Sequence, residues 1–342
     1  MQPSRAIRGL DPSLLFMGVV AFLAWLFPEG GAKGGWLHPE WITKAGIVWI
    51  FFSQGLSLNI GHVLEGLKQW RVHVFIQGFS FVCIPLCMLL GDQLLHPWVD
   101  EEIRLGFLYL AILPTTISTS AIFAGRLGAP VASITWNILI SNILGIFLVP
   151  AWTLWLLHSQ ADIEVPKAPL FGQIALMILA PMVIAMILQK QLEGWASRCK
   201  GGIRMSNMLV IYFIIYAALC DSFQSGLWEN YGFGWVAGVG AGTCLVLVLT
   251  HGAAWVGTGW MGSDRPLRLA VVFTAAQKTM AVGAPLAQTI FAAVVATGQS
   301  VPPLALVLLP LMFYHPLQLM LGALVIGRIE AAGQTIITTK SN

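Results

Sequence analysis

The chain has 342 residues, 57% hydrophobic and only 10% charged, with a formal net charge of +3. Soluble globular domains carry about 25% charged residues, so this composition, with a mean hydropathy of +0.79, places apolar surface against lipid. No polar stretch is long enough for a sizeable extramembrane catalytic domain, and no basic run or phosphate-cradling loop points to nucleic acid.

At about 20 residues per membrane-crossing helix, the length accommodates roughly ten spans. Apolar segments fall at 14–27, 45–58, 72–90, 104–125, 131–157, 170–189, 207–223, 236–260, 268–292 and 303–327. Arg5 and Arg8 ahead of the first segment resemble the start of a signal peptide. Pro28-Glu29-Gly30-Gly31 lacks a small-residue cleavage pattern, so a retained first helix is expected. Ten helices put both termini on one side. With the N-terminus inside, the loops and tails carry thirteen Lys and Arg on the cytoplasmic side. Four fall outside (Lys33, Lys44, Arg104 and Lys167), and Lys278 is left inside the membrane. An excess of basic residues marks the cytoplasmic side, so both termini are expected in the cytoplasm of a multi-pass plasma (inner) membrane protein.

The five segments of the second half follow those of the first at a roughly constant offset. An odd number of helices per half makes the second copy enter from the opposite side, the layout of inverted-repeat transporters. The expected division is residues 1–164 (segments one to five) and 165–342 (segments six to ten).

Polar residues interrupt segments four and nine at matched places. Segment four carries Pro114 followed by Thr115, Thr116, Ser118, Thr119 and Ser120; segment nine carries Thr274, Ala276, Gln277, Lys278 and Thr279, then Gly283 and Pro285. Proline removes a backbone donor and breaks the helix. In lipid such a break is tolerated only against protein or a water-lined cavity. Paired interruptions are the best sequence pointer to a transport site, although hydroxyls in membrane helices also bond back to their own backbone. Lys278 is the sharper signal, because an ionisable group at mid-bilayer costs about 2.5–3.5 kcal/mol on insertion scales. It can hold an anionic substrate, stand in for a bound cation, carry a proton, or pair with helix-end carbonyls or Asp221. Asp221, near the outer end of segment seven, reads as a gate or an interfacial cap. Ser133, Asn137 and Ser141 share one face of segment five, and Gln77 and Ser80 lie in segment three. His251 and His315 read as packing histidines, and the five cysteines (Cys83, Cys87, Cys199, Cys220, Cys244) as small buried hydrophobes.

These stretches resemble the bile acid:sodium symporter (BASS, SBF-like) superfamily, most closely the branch around sodium/bile acid cotransporter 7. The resemblance rests on 51–58 (FFSQGLSL), 73–77 (HVFIQ), 113–120 with Asn137, 220–223 (CDSF) and Gln277-Lys278-Thr279. It implies an all-α fold of ten helices in two inverted five-helix repeats. Helices one, two, six and seven would form a panel and three to five and eight to ten a core, with discontinuous helices four and nine crossing. It further implies two Na⁺ sites behind the crossing. The first would use Thr119, Ser120, Ser133 and Asn137; the second would use Gln277 and the carbonyls of Thr274 and Ala276, with Gln77 or Ser80. One departure stands out. The sodium-coupled relatives hold a glutamate four residues before the glutamine, where this chain has Phe273, and Lys278 adds a positive charge. That two-charge change weakens cation binding, a departure shared by the cotransporter 7 branch.

The reading is therefore a carrier rather than an enzyme, moving a small organic anion by alternating access in the lipid bilayer. Thr115, Thr116, Ser118, Lys278 and Thr279 would contact substrate; Na⁺ or H⁺ would be the coupling ion, with no other cofactor. Two rivals keep the fold: a cation/proton exchanger in which Lys278 titrates, and a non-transporting membrane sensor. The solute and the oligomeric state are not legible in the sequence.

Overall fold

The computed structural model describes residues 12–57, 69–116, 118–161, 172, 175–229 and 231–340, with side chains outside that description at 12–14, 118, 160, 161, 233 and 331–340. Arg5, Arg8, Asn59, Lys68, Lys167 and the division between residues 164 and 165 lie outside the described residues, as does the side chain of Ser118. Among the described residues every regular element is helical.

In chain order these are α1 (Pro12–Leu26), α2 (Pro39–Ser57), α3 (Trp70–Leu95), α4 (Glu101–Ile112), α5 (Ser118–Leu127), α6 (Val131–Ala161), α7 (Ala175–Arg198), α8 (Lys200–Gln224), α9 (Phe233–Gly257), α10 (Arg265–Ala276), α11 (Met280–Val295) and α12 (Leu304–Lys340). Seven described stretches are long and apolar enough to cross a membrane, and one of these, Arg265–Val295, runs through the gap between α10 and α11. The chain is an integral, multi-pass membrane protein. Segments two and seven read short from composition, but their helices begin earlier, at Pro39 and Lys200, because polar first turns remain helical.

Burial sorts the helices. In the 18-residue apolar stretch of Arg265–Val295, 78% is buried, against 22% in that of Gly234–Met261. Leu90, Leu94, Leu176 and Val256 are exposed along the outer helices, as lipid-facing side chains are. Three of the cysteines expected to be buried (Cys83, Cys87 and Cys244) are on this outer surface as well; only Cys220 is buried. A thiol is small and apolar enough to face lipid at no penalty. Helix α2 packs on α7 and α8, and α1 on α8. Helix α4 packs on α12 and α5 on α10, while α8 also touches α11 and α12.

Both breaks expected in the sequence are present. Helix α4 ends at Ile112, residues 113–116 are non-helical, and α5 resumes at Ser118; α10 ends at Ala276 and α11 begins at Met280. A third irregularity was not foreseen. Residues Phe79–Cys83 in α3 form a π-turn, in which the N–H of Ile84 bonds the carbonyl of Phe79.

Arg104, expected in an outer loop, is buried and its Nε donates to Asp92 Oδ1 at 2.7 Å, tying α4 to α3. Removing one partner of a buried ion pair strands the other charge, at about 3–5 kcal/mol. Asp92→Ala is therefore expected to lower the melting temperature in detergent sharply. Asp92→Leu combined with Arg104→Leu is expected to recover most of that loss, as read by thermal unfolding of the purified protein.

Candidate functional site

The site grows out of carbonyls that lost their donors. In the π-turn of α3 the N–H of Ile84 is given to Phe79, and the next possible donor to the carbonyl of Ser80 is Pro85, which has none. At the end of α4 the carbonyl of Ala111 faces the same problem. Pro114 has no N–H, and the N–H of Thr115 goes to Ser141 Oγ at 3.3 Å. An unsatisfied carbonyl in a membrane interior costs several kcal/mol.

Lys278 answers all of these at once. Its side chain is 1% exposed. Its Nζ donates to Ala111 O at 2.7 Å, Leu113 O at 2.8 Å and Ser80 O at 3.1 Å, with Ser80 Oγ at 3.3 Å. Carbonyl oxygens only accept, so three such bonds require three N–H groups, and only the charged ammonium has three. The ammonium also sits at the C-terminal, negative end of α4. The backbone of Lys278 is pinned by Gln318: Oε1 accepts the N–H at 2.8 Å and Nε2 donates to the carbonyl at 2.7 Å. Asp221 is not its partner. Asp221 Oδ1 accepts the N–H of Lys33 at 2.6 Å, in a second cleft of about 380 Å³ also lined by Glu40, Lys44 and Gln288.

The two breaks are joined directly, Thr279 N–H donating to Pro114 O at 2.9 Å. This approach depends on Gly145, where an added Cβ would lie 2.7 Å from Pro114 Cγ. Tyr109 hydroxyl donates to Gly283 O at 2.7 Å and Tyr314 hydroxyl to Ala276 O at 2.8 Å, so the ends of the second break are held by phenols.

Beside the crossing, Thr116, Ser120 and Thr119 hydroxyls converge on Gln277 Oε1 at 2.6, 2.8 and 3.1 Å. Gln277 is fully buried and its Nε2 lacks a partner. Ser133 and Asn137 are engaged elsewhere. Asn137 Oδ1 faces His73 Nδ1 at 3.0 Å, Gln77 Nε2 donates to Asn137 O at 3.0 Å, and Ser133 Oγ donates to Gln69 Oε1 at 2.9 Å. Thr274 Oγ1 bonds back to Ala270 O at 2.7 Å. The residues expected in the first ion site thus divide between Gln277 and the face of α3. Phe273, at the glutamate position, packs edge-on against Phe123 and His251.

A cleft of about 500 Å³ reaches Thr116, Thr119, Thr279 and Met280 at the starts of α5 and α11. Lys278 does not line it and Thr115 is fully buried away from it. Sequence reading missed its side walls: Arg204, Asn207, Met208, Ile211 and Tyr212 from α8, and His315 from α12. The α8 residues follow helical spacing on one face, a signal that was available but was hidden by treating Arg204 as a loop charge. His315, expected in packing, lies on the cleft and bonds Gln318 at 3.1 Å.

The model of the SBF-like CPA transporter family matches residues 11–331. The chain belongs to that family. It is 28% identical to the putative symporter YfeH of Escherichia coli over 95% of both chains. It is 27% identical to rat sodium/bile acid cotransporter 7 over 96% of this chain and 95% of the relative. It is also similar to an uncharacterized protein, PA2026, of Pseudomonas aeruginosa, at 29% identity over 84% of both chains. It is thus a membrane transporter of the bile acid:sodium symporter type, acting on a small molecule.

Removing a phenol at the crossing deletes a buried hydrogen bond, and at Ala276, where the helix ends, it also strands the carbonyl, at about 1–3 kcal/mol. Tyr109→Phe and Tyr314→Phe should each lower thermal stability in detergent, whereas Thr115→Val, whose hydroxyl has no partner, should leave it unchanged or raise it.

Proposed function

We propose that this chain is a secondary transporter of a small organic anion that works by alternating access around the crossing of segments four and nine. The observation that supports this best is the cleft. It runs from Arg204 down to Thr116, Thr119 and Thr279, where two broken helices begin. Helix starts present free N–H groups and the positive end of the helix dipole, and Arg204 adds a charge at the mouth. Apolar walls from Phe16, Met17, Phe123 and Ile211 suit the carbon skeleton of an amphipathic anion.

The architecture in this reading is ten spans in two inverted repeats, segments one to five and six to ten. Helices α1, α2, α7 and α8 form the panel, and α3–α6 with α9–α12 form the core. The panel rocks against the core across the contacts of α8 with α11 and α12. Arg126 and Glu330, paired at 2.6 Å, lie at the core end where the basic residues place the cytoplasm. The cleft lined by Arg204 then opens inward. The cleft with Asp221, Lys33 and Glu40 then lies on the outer side, and Asp221 holding the Lys33 N–H acts as part of its gate. Thr116 and Thr279 contact substrate, with Ser118 at the start of α5 beside them, while Thr115 and Lys278 support the crossing from behind. Family resemblance alone points to Na⁺ as the coupling ion, with H⁺ the other choice, and the transport reading itself requires neither.

Uptake of a radiolabelled bile acid and of a smaller aryl carboxylate into proteoliposomes tests the reading. Probe is expected to enter faster than into empty vesicles, Arg204→Ala to raise KM several-fold, and Thr116→Val with Thr279→Val to reduce uptake at least tenfold. Absence of flux for every anion tried, under solute, Na⁺ or pH gradients, would remove transport and leave a ligand-binding membrane sensor.

A further inference from the structure

The two positions where Na⁺ is expected are each served by an N–H donor from the chain. At the second position, Ser80 offers both its carbonyl and its hydroxyl, but both are within hydrogen-bond distance of Lys278 Nζ. The Ala276 carbonyl accepts from Tyr314, and Gln277 Oε1 already accepts three hydroxyls. Gln77 donates its amide N–H to Asn137 O and keeps a buried, unpartnered Oε1, a single oxygen where a cation needs several. At the first position, Asn137 Oδ1 faces His73 Nδ1, and Ser133 Oγ is bonded to Gln69. A small hard cation needs several oxygens free to converge on it, as seen for Ca²⁺ and Mg²⁺. The residues here do not fit Na⁺: oxygens of Ser80, Ala276, Gln277 and Asn137 already face protein donors, Ser133 turns its hydroxyl to Gln69, and a fixed ammonium within 3.3 Å of both Ser80 oxygens repels a second cation.

We propose that Lys278 is a built-in cation that takes the place of Na⁺ at the crossing, with the His73 imidazole N–H filling the neighbouring position, so that this carrier runs without sodium. The proposal rests on the transport reading above and deepens it. In a sodium-coupled carrier the ion arrives and leaves, and its binding free energy is linked to that of the solute. An ammonium anchored by Gln318 and by three carbonyls cannot leave. The crossing is therefore pre-assembled, and substrate affinity carries no linkage to Na⁺. Phe273 completes the set, since a carboxylate at that place would draw a cation and here an aromatic ring packs instead.

The first test needs no solute. Wild-type protein in detergent is melted in NaCl and in choline chloride at equal ionic strength, and ²²Na⁺ binding is measured by scintillation proximity. Equal melting temperatures and no saturable ²²Na⁺ binding are expected. A ligand that binds only the folded state raises its stability, so a melting temperature that climbs with Na⁺, or saturable ²²Na⁺ binding lost in Asn137→Ala, overturns the proposal. The second test is Lys278→Ala, which exposes the carbonyls of Ala111, Leu113 and Ser80. Its melting temperature is expected to fall and to be raised by propylammonium, with no such effect on wild type. Failure of propylammonium to raise it overturns the role of Lys278 as the filling cation. If the variant does not fold, the wild-type comparison decides alone. Because neither test reads flux, a protein that binds no Na⁺ and moves no probe loses the transport reading while the built-in cation stands.

Discussion

The crossing depends on one cation that the chain supplies to itself. Two prolines, Pro85 and Pro114, and one π-turn leave carbonyls in the membrane interior without backbone donors. In water such groups would be hydrated; here hydration is excluded and each would cost several kcal/mol. A single ammonium, with three protons, closes the account of Ser80, Ala111 and Leu113 together. The burial of Lys278, expensive on its own, and the burial of the orphaned carbonyls, expensive on their own, cancel each other. Without the lysine the carbonyls of Ser80 and Ala111 would have no donor.

Around that anchor the polar atoms are sorted by distance from it. Carbonyls behind the crossing are taken by Lys278 and by the phenols of Tyr109 and Tyr314. Hydroxyls in front gather on Gln277 Oε1, while its Nε2, like Thr115 Oγ1 and Asn142 Oδ1, is buried without a partner. Only the front, at Thr116, Thr119 and Thr279, meets the cleft. Rigid support behind and adaptable hydroxyls ahead are what a binding surface built on broken helices requires, because the break must hold its shape while the groups beside it change partners.

Much of the helical layout was legible. Apolar length needs no partner to be read, and Pro114 and the polar run at Gln277-Lys278-Thr279 announced the two breaks. The π-turn at Phe79–Cys83 left no such mark, since a single wide turn depends on what packs against it. The expected ion-site grouping cuts across the hydrogen bonds that the structure shows. Thr119 and Ser120 were grouped with Ser133 and Asn137, yet they bond Gln277 while the latter pair with Gln69, His73 and Gln77 on α3. Spacing along one helix cannot say which neighbouring helix supplies the partner. Arg204 was read as a topology signal, although the same charge at the start of α8 lines the cleft.

By itself the sequence determined that this chain lives in lipid, that it is helical, that two of its segments are broken, and that one basic residue cannot reach water. Those properties follow from composition and from the chemistry of proline and lysine, which act locally. The tertiary structure decided what Lys278 touches. Its partners lie 198, 167 and 165 residues away in sequence, and several roles were open for it. The choice of helix-end carbonyls over a substrate anion or Asp221 is made by where the C-terminal end of α4 comes to rest, a matter of packing between helices that no local pattern encodes.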